Sequence, residues 1–313
     1  MKLLIIFFTV YFFFSWILAW TYFNVHLQSV EEWAAWHDEL VTGEYQYNSS
    51  QFRVLSFWIV EVINKAFIGQ TVVSYITLRF LFTFLIFCIF HLFLLRWFSQ
   101  ERAFLCVVFL AAITPLTYMI YLQESDVLLQ FFFLVGLWLV REKKFFVLTA
   151  VMVAGTFAKE TIIFLVPFYF LLHAGRGRIL RTVLESAVLA AVWAAAFYAT
   201  RFVIYEGYNS ALWQLPRNIA YLKTYFMYDP LVNPHLLYIP LFGIFWILPF
   251  VRLREKSFFF RRAAPFIIMY TVAHFLFAWP EETRVLLPLA FLVIPSGLMT
   301  IFGRSNMNLS KEY

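Results

Sequence analysis

The sequence predicts an all-α, polytopic bundle of about ten membrane-spanning helices, on three observations. Hydrophobic residues make up 63% of the chain and charged residues only 13%, a balance far from that of a water-soluble protein. Apolar runs recur along the whole length, many close to the roughly 20 residues that a helix needs to cross a bilayer. The few charges gather between the runs and sort by sign from one connection to the next.

The runs lie at 3–23, 72–95, 103–122, 127–140, 145–158, 161–173, 182–204, 236–251, 263–279 and 285–302. The first is too long for a signal-peptide core and lacks a small-residue cleavage site, so it reads as a retained anchor. The fourth, fifth and sixth are short, as tilted, broken or mutually buried helices are. With the N-terminus inside, sixteen of the 24 Lys and Arg fall on the cytoplasmic side, and thirteen of the 18 acids fall on the other. That is the positive-inside pattern, and it places both termini in the cytoplasm. The net charge of +6 and the pI of 9.2 therefore follow from topology and exclude a nucleic-acid footprint. The expectation is one integral membrane domain over 1–313. Cys88 and Cys106 sit in apolar runs and predict core packing, not a disulfide.

The longest polar segment near the start is the first outer loop, 24–71, which predicts two amphipathic interfacial helices. The first is Ser29 to Val41, opened by a Ser29–Glu32 capping box. At a helical repeat, Glu31, Glu32, Asp38 and Glu39 share one face, opposite Val30, Trp33, Trp36, Leu40 and Val41. After Thr42-Gly43-Glu44-Tyr45 comes the second, Gln51 to Ala66. Its polar stripe is Arg53, Glu61, Asn64 and Lys65, and its apolar stripe includes Phe52, Leu55, Trp58, Ile59 and Val62. The loop also holds the sequon Asn48-Ser49-Ser50.

Three more polar sites belong to the same membrane face. Gln123-Glu124-Ser125-Asp126 forms the turn before the fourth run, Lys159-Glu160 interrupts an apolar stretch, and Glu281-Glu282-Thr283-Arg284 precedes the last run. Each alone reads as a solvated turn or a local ion pair. Together with the first loop they bring carboxylates and cations from four segments to one face of a charge-poor chain. Ionisable groups at membrane depth are costly and tend to be functional. Arg or Lys there would hold a phosphate, and a carboxylate would act as general base or hold a divalent metal.

This layout resembles the GT-C superfamily of polytopic glycosyltransferases. Its elements are a span, paired acids, a Gly-x-Tyr turn and Arg-x-Leu, then an acidic motif in a tight loop, Lys-Glu-Thr, and a late Glu-x-Arg. The resemblance implies a GT-C-like bundle that moves a sugar from a polyprenyl-phosphate donor to a lipid, glycan or protein acceptor. The transfer would take place on the non-cytoplasmic face of a bacterial plasma (inner) membrane. It maps the essential first acid onto Glu31 or Glu32, with Asp38 one helical face along, as candidates for the catalytic base. Glu124-Ser125-Asp126 matches a Glu-x-Asp form of the second acidic motif and is the candidate for a divalent cation (Mg or Mn). Arg53-Val54-Leu55, Lys159-Glu160-Thr161 and Glu282-Thr283-Arg284 resemble positions common in bacterial members. Arg53, Lys159 or Arg284 would bind the leaving phosphate, with Glu124, Asp126, Glu160 and Glu282 lining the same substrate site. The chain departs from the family at Glu31-Glu32, where Asp-Glu or Asp-x-Asp is usual.

An outer aromatic loop, 205–235, carries Tyr208, Trp213, Pro216, Arg217, Tyr221, Tyr225, Tyr228 and Asp229-Pro230, which read as an interfacial belt or a cover for a glycan. His274 is expected to be a buried histidine satisfied by a neighbouring helix. Arg79 would snorkel or reach a lipid phosphate. A transporter or lipid/glycan flippase using the same charges is the alternative reading. Such a protein holds its charges near the midplane on broken helices.

Overall fold

The computed structural model describes residues 2–42, 44, 52–118, 124–175, 177–204, 215–216, 218–220, 241–278 and 282–303. Among them 89% are helical and none lies in a strand. The α-helices are α1 (Lys2–Val25), α2 (Leu27–Ala35), α3 (His37–Thr42), α4 (Val54–Ile63), α5 (Thr71–Leu94) and α6 (Gln100–Ile113). They continue as α7 (Glu124–Arg141), α8 (Phe145–Ala158), α9 (Leu165–His173), α10 (Ile179–Tyr198), α11 (Phe258–Phe277) and α12 (Leu287–Phe302).

Among the described residues, five stretches are long and apolar enough to cross a membrane: Leu3–Val25, Thr71–Leu94, Gln100–Thr117, Ile179–Ile204 and Thr283–Phe302. Two shorter apolar helical stretches are Phe145–Ala158 and Glu160–His173. On α1, Ile5, Phe13, Trp16 and Ile17 are each more than half exposed, as are Leu180 and Leu184 on α10. Faces like these suit a hydrocarbon solvent and are costly in water. The run predicted at 145–158 coincides with α8. The run at 236–251 does not form a continuous helix over its described part. Gly243, at φ 50°, and Pro249 divide it into 3₁₀ turns at Gly243–Trp246 and Leu248–Phe250. A left-handed residue and a missing N–H each interrupt an α-ladder.

The described residues group into two compact units, one of Met1–Ile89 with Gln123–Asn209 and one of Phe90–Leu122 with Ser210–Tyr313. In the first, α7 is the core helix. Every residue from Glu124 to Gln130 is buried, and Phe133, Leu134, Leu137 and Val140 carry the buried face to its end. Two glycines let the neighbouring chain come close. A Cβ on Gly136 would fall 2.2 Å from Leu165 Cδ1, and one on Gly155 would fall 2.7 Å from Ile162 Cγ1. Both contacts press the α8–α9 connection onto the helices. Trp193 on α10 holds the same connection by donating its indole N–H to the Glu160 carbonyl at 2.9 Å. Edge-to-face pairs such as Phe12–Phe80, with centroids 5.1 Å apart, seat α1 on α5.

In the second unit α12 plays the matching part, buried from Leu287 through Met299. Phe90 and Phe291 meet edge-on at 5.2 Å. Lys256 is buried and donates to the Leu248 and Pro249 carbonyls and to Ser296 Oγ at 2.6, 2.8 and 3.0 Å. Burial pushes its ammonium down to about 8. Cys88 and Cys106 are both buried and free.

The first-loop helices differ in detail from their predicted form. The expected Ser29–Val41 helix is two helices, α2 and α3, with a turn at Trp36. Its start is Leu27, so Ser29 is inside the helix and cannot cap it; Glu32 instead accepts from Gln28 Nε2 at 3.2 Å. Val30, Trp33 and Leu40 are buried as expected, but His37 joins them while Trp36 is exposed. The expected Gln51–Ala66 helix begins at Val54 and passes into a π-helical segment, Asn64–Ile68; Gln51 lies outside the described residues. Its predicted faces hold only in part: Phe52 of the apolar stripe is buried and Lys65 of the polar stripe is exposed. Trp58 and Val62 of the apolar stripe are exposed, whereas Arg53 of the polar stripe is buried. In a lipid setting the outward face of a helix is the apolar one, and the polar groups turn inward.

Replacing Gly155 by Ala should destabilise the first unit by about 1–3 kcal/mol, because the added methyl overlaps Ile162. Pairing Gly155→Ala with Ile162→Ala, which removes the overlapping Cγ1, should cost less than the two single variants added together. Thermal unfolding in detergent reads both, and an unshifted midpoint in the single variant would remove the close-packing account.

Candidate functional site

The polar groups of the first unit are arranged around the N-terminal turn of α7. Glu124 and Asp126 are two residues apart, so at 100° per residue they point to nearly opposite sides of the helix. Both are buried in the first turn, where the helix dipole favours negative charge. Glu124 forms an ion pair with Arg79 of α5 at 2.8 Å, and the Arg79 guanidinium lies 3.5 Å from the centroid of the Tyr22 ring. Arg79 thus turns inward to a carboxylate and is only 3% exposed, instead of snorkelling to a headgroup. Asp126 pairs with Lys159, which is 2% exposed.

Lys159 reaches Asp126 because the chain leaves the helix there. Its backbone is extended (φ −165°, ψ 135°) between the end of α8 and a 3₁₀ turn at Glu160–Phe164. The next side chain, Glu160, is partly exposed and faces Arg53, the residue that precedes α4, at 3.5 Å. Adjacent in sequence and opposite in charge, Lys159 and Glu160 thus each engage a distant partner.

A second arginine completes the group. Arg201 is in the π-helical segment Ala199–Ile204 that continues α10, and its guanidinium stacks over the rings of Phe52 and Phe197 at 4.4 and 4.5 Å. Glu160 feels the charges of Arg53, Lys159 and Arg201, while Arg53 and Arg201 repel one another. Arg53 Nε and Nη1 and Arg201 Nε are buried without a hydrogen-bond partner among the described residues. Three cations thus gather at one partly exposed carboxylate, with unused donors on two of them. Such a site has the charge and the donors to take up an anion with several oxygens.

A third cluster ties the first-loop helices to α5. His37 is buried, with Nδ1 3.0 Å from the Tyr75 hydroxyl and Nε2 3.1 Å from Glu61 Oε2. Glu61 also pairs with the exposed Lys65 at 2.5 Å. Hydrogen bonding from Lys65, with a further contribution from His37, holds the Glu61 carboxyl below its usual range. Tyr75 in turn feels the charge of Glu124.

The structure brings together Arg53, Asp126, Lys159 and Glu160, and places Glu124 on the other side of the same helical turn. Glu31, Glu32 and Asp38 are exposed on α2 and α3, and none has a hydrogen bond or ion pair to Arg53, Lys159, Glu160 or Arg201. Asp38 lies within electrostatic reach of Lys65. Glu282 and Arg284 belong to the second unit, where they pair at 2.6 Å and Arg284 is buried. His274 is buried beside them, 3.2 Å from the Glu282 carbonyl, satisfied by the segment that precedes α12. Glu281, the sequon and most of the 205–235 loop, including all its named aromatics, lie outside the described residues. Within that loop Asn218 is described, and it donates to the Ala278 carbonyl at 2.9 Å.

Sequence reasoning missed Arg201 and His37. Arg201 had a signal, as an outer-face cation at the end of a span. His37 had none, because a single histidine among acids on a short helix does not reveal which side it turns to. The expected divalent cation does not fit the arrangement. Glu124 and Asp126 each face a cation already and point apart, and among the described residues no three His, Cys, Asp or Glu side chains form a ligand set.

Comparisons with protein-family models, curated proteins and solved structures found no match to this chain.

Removing one partner of the Asp126–Lys159 pair should be strongly destabilising, at about 3–5 kcal/mol, because it strands a buried charge. Asp126→Asn and Lys159→Met should each lower the thermal midpoint in detergent. The double variant should lose less than the two singles added together. Strict additivity would mean that the two side chains do not act as a pair.

Proposed function

We propose that the chain is a GT-C-like membrane glycosyltransferase of about ten spans, with both termini in the cytoplasm. Its reaction moves a sugar from a polyprenyl-phosphate donor to a lipid, glycan or protein acceptor on the outer face. The observation that carries the reading is the group around Glu160: Arg53, Lys159 and Arg201 converge from three separate segments, with unused donors on both arginines.

In this reading Arg53 and Arg201 hold the donor phosphate, and Asp126 fixes Lys159 so that its charge adds to theirs. Stacking of Arg201 on Phe52 and Phe197 sets the plane of its guanidinium before substrate arrives. Arg284, held by Glu282, is the candidate cation of the second unit. A carboxylate among Glu31, Glu32 and Asp38 takes the acceptor hydroxyl proton. The acceptor oxygen bonds to the sugar carbon as the bond from that carbon to phosphate oxygen breaks. The electron pair leaves on the phosphate, where the arginines stabilise it. No metal enters these steps.

One observation favours the alternative, a transporter or flippase. The Arg79–Glu124 and Asp126–Lys159 pairs are buried among apolar helices, and Lys159 sits at a break between α8 and α9.

Purified protein assayed with a polyprenyl-phospho-sugar separates the two readings. Arg53→Gln and Arg201→Gln should each weaken donor binding by about 10- to 100-fold, the loss of a hydrogen bond to a charged group. One of Glu31→Gln, Glu32→Gln and Asp38→Asn should lower turnover by about 10²–10⁴ with donor binding retained. Binding without turnover in any acceptor mixture would instead favour transport. A cysteine at Glu44, which is exposed, should be labelled from the outer side only, and cytoplasmic labelling would overturn the topology.

A further inference from the structure

The transfer reading leaves one arrangement unused: the buried histidine of the first loop. α3 has only six residues, Trp36 separates it from α2, and it carries Asp38. A helix this short has no stability of its own and keeps its place through tertiary contacts. His37 supplies two of them, one to each neighbour, through Glu61 of α4 and Tyr75 of α5.

The chemistry of the partners determines the state of the ring. The Glu61 carboxylate can only accept, so Nε2 must carry the hydrogen that it receives. In a neutral ring Nδ1 is then the acceptor, and the Tyr75 hydroxyl donates to it. Lys65 keeps Glu61 ionised from the water side. The order of the chain is therefore cation, carboxylate, imidazole, phenol, running from solvent inward.

We propose that His37 is a positioning residue: held by Glu61 and Tyr75 in its Nε2–H tautomer, it orients α3 and so fixes the Asp38 carboxylate on the exposed side of that helix. Its importance for turnover rests on the transferase reading, but the tie itself does not. Asp38 follows His37 directly and points to the exposed side while His37 points in. Because both ring nitrogens are bonded to neighbouring helices, the backbone at His37, and with it that of Asp38, is tied to α4 and α5. The arrangement matches a general rule: a reacting group is precise only when a second group, bonded on both sides, holds the element that carries it.

Two kinds of measurement test this, one of which needs no substrate. In ¹⁵N-labelled protein at alkaline pH, the neutral His37 ring, its signal assigned by its loss in His37→Leu, should carry its hydrogen on Nε2. A tautomer mixture would overturn the proposal. Hydrogen exchange of residues 38–42 should speed up in His37→Leu and return toward wild type in His37→Gln, whose amide can donate to Glu61 and accept from Tyr75. Equal protection in wild type and His37→Leu would also overturn it. Where Asp38→Asn is the acid variant that loses turnover in the transfer assay, His37→Leu should also lower kcat, on the order of 10²-fold with donor binding unchanged, as expected for a misplaced catalytic group. His37→Gln should recover most of that. With Asp38 as that acid, unchanged kcat in His37→Leu would show that Asp38 is not set by this tie. A wild type that turns over no donor would count against the transferase reading alone, because the tautomer and exchange results would still decide the tie.

Discussion

The buried ion pair of Asp126 and Lys159 is the interaction on which the first unit depends. Either charge alone, at 1–2% exposure among apolar helices, would be prohibitive. Meeting the pair's geometry requires the chain to leave the helix at Lys159, and this accounts for much of the local structure. The extended residue exposes backbone that the following 3₁₀ turn and the Trp193 indole satisfy. The turn can sit against α7 and α8 only because Gly136 and Gly155 have no side chains to displace it. Two glycines, one tryptophan and one break in a helix thus serve a single electrostatic constraint.

The same break determines where the next residue goes. With Lys159 turned inward to Asp126, Glu160 is left facing the opposite direction, toward Arg53 and Arg201. With Lys159 paired to Asp126, one carboxylate is left for two guanidinium groups, so the group carries an excess of donors and positive charge. Glu124 with Arg79 and Glu282 with Arg284 are by contrast pairs of one carboxylate with one guanidinium. Two guanidinium groups at the single carboxylate of Glu160 separate this group from those pairs and make it the better candidate for binding an anion.

Orientation within the first loop shows how a membrane setting changes the reading of a helical wheel. For α4 the buried face is Val54, Ser56, Phe57 and Val60, turned away from the apolar stripe that the sequence suggested. Trp58 and Val62 are outward, and Arg53 is buried among the charges of the site. For α2 and α3 the buried side was read correctly at Val30, Trp33 and Leu40, because these helices present their acids to water. The turn at Trp36 was not legible, since it follows from the bonds of His37 to Glu61 and Tyr75, residues 24 and 38 positions away.

The sequence by itself determined the helical class, the approximate limits of α1, α5, α8 and α10, and the segments that carry charge. These are local properties: an apolar run of sufficient length, or a polar residue interrupting one, needs no partner to be recognised. Only the tertiary structure decided which charges meet. Lys159 pairs with a residue 33 positions earlier and Arg53 with one 107 positions later. Helices such as α1 and α5 are apolar on every side, so no periodicity in them says which face turns inward. Their rotation and neighbours are set by aromatic contacts such as Phe12–Phe80 and by the requirement that a buried charge such as Arg79 find an opposite one.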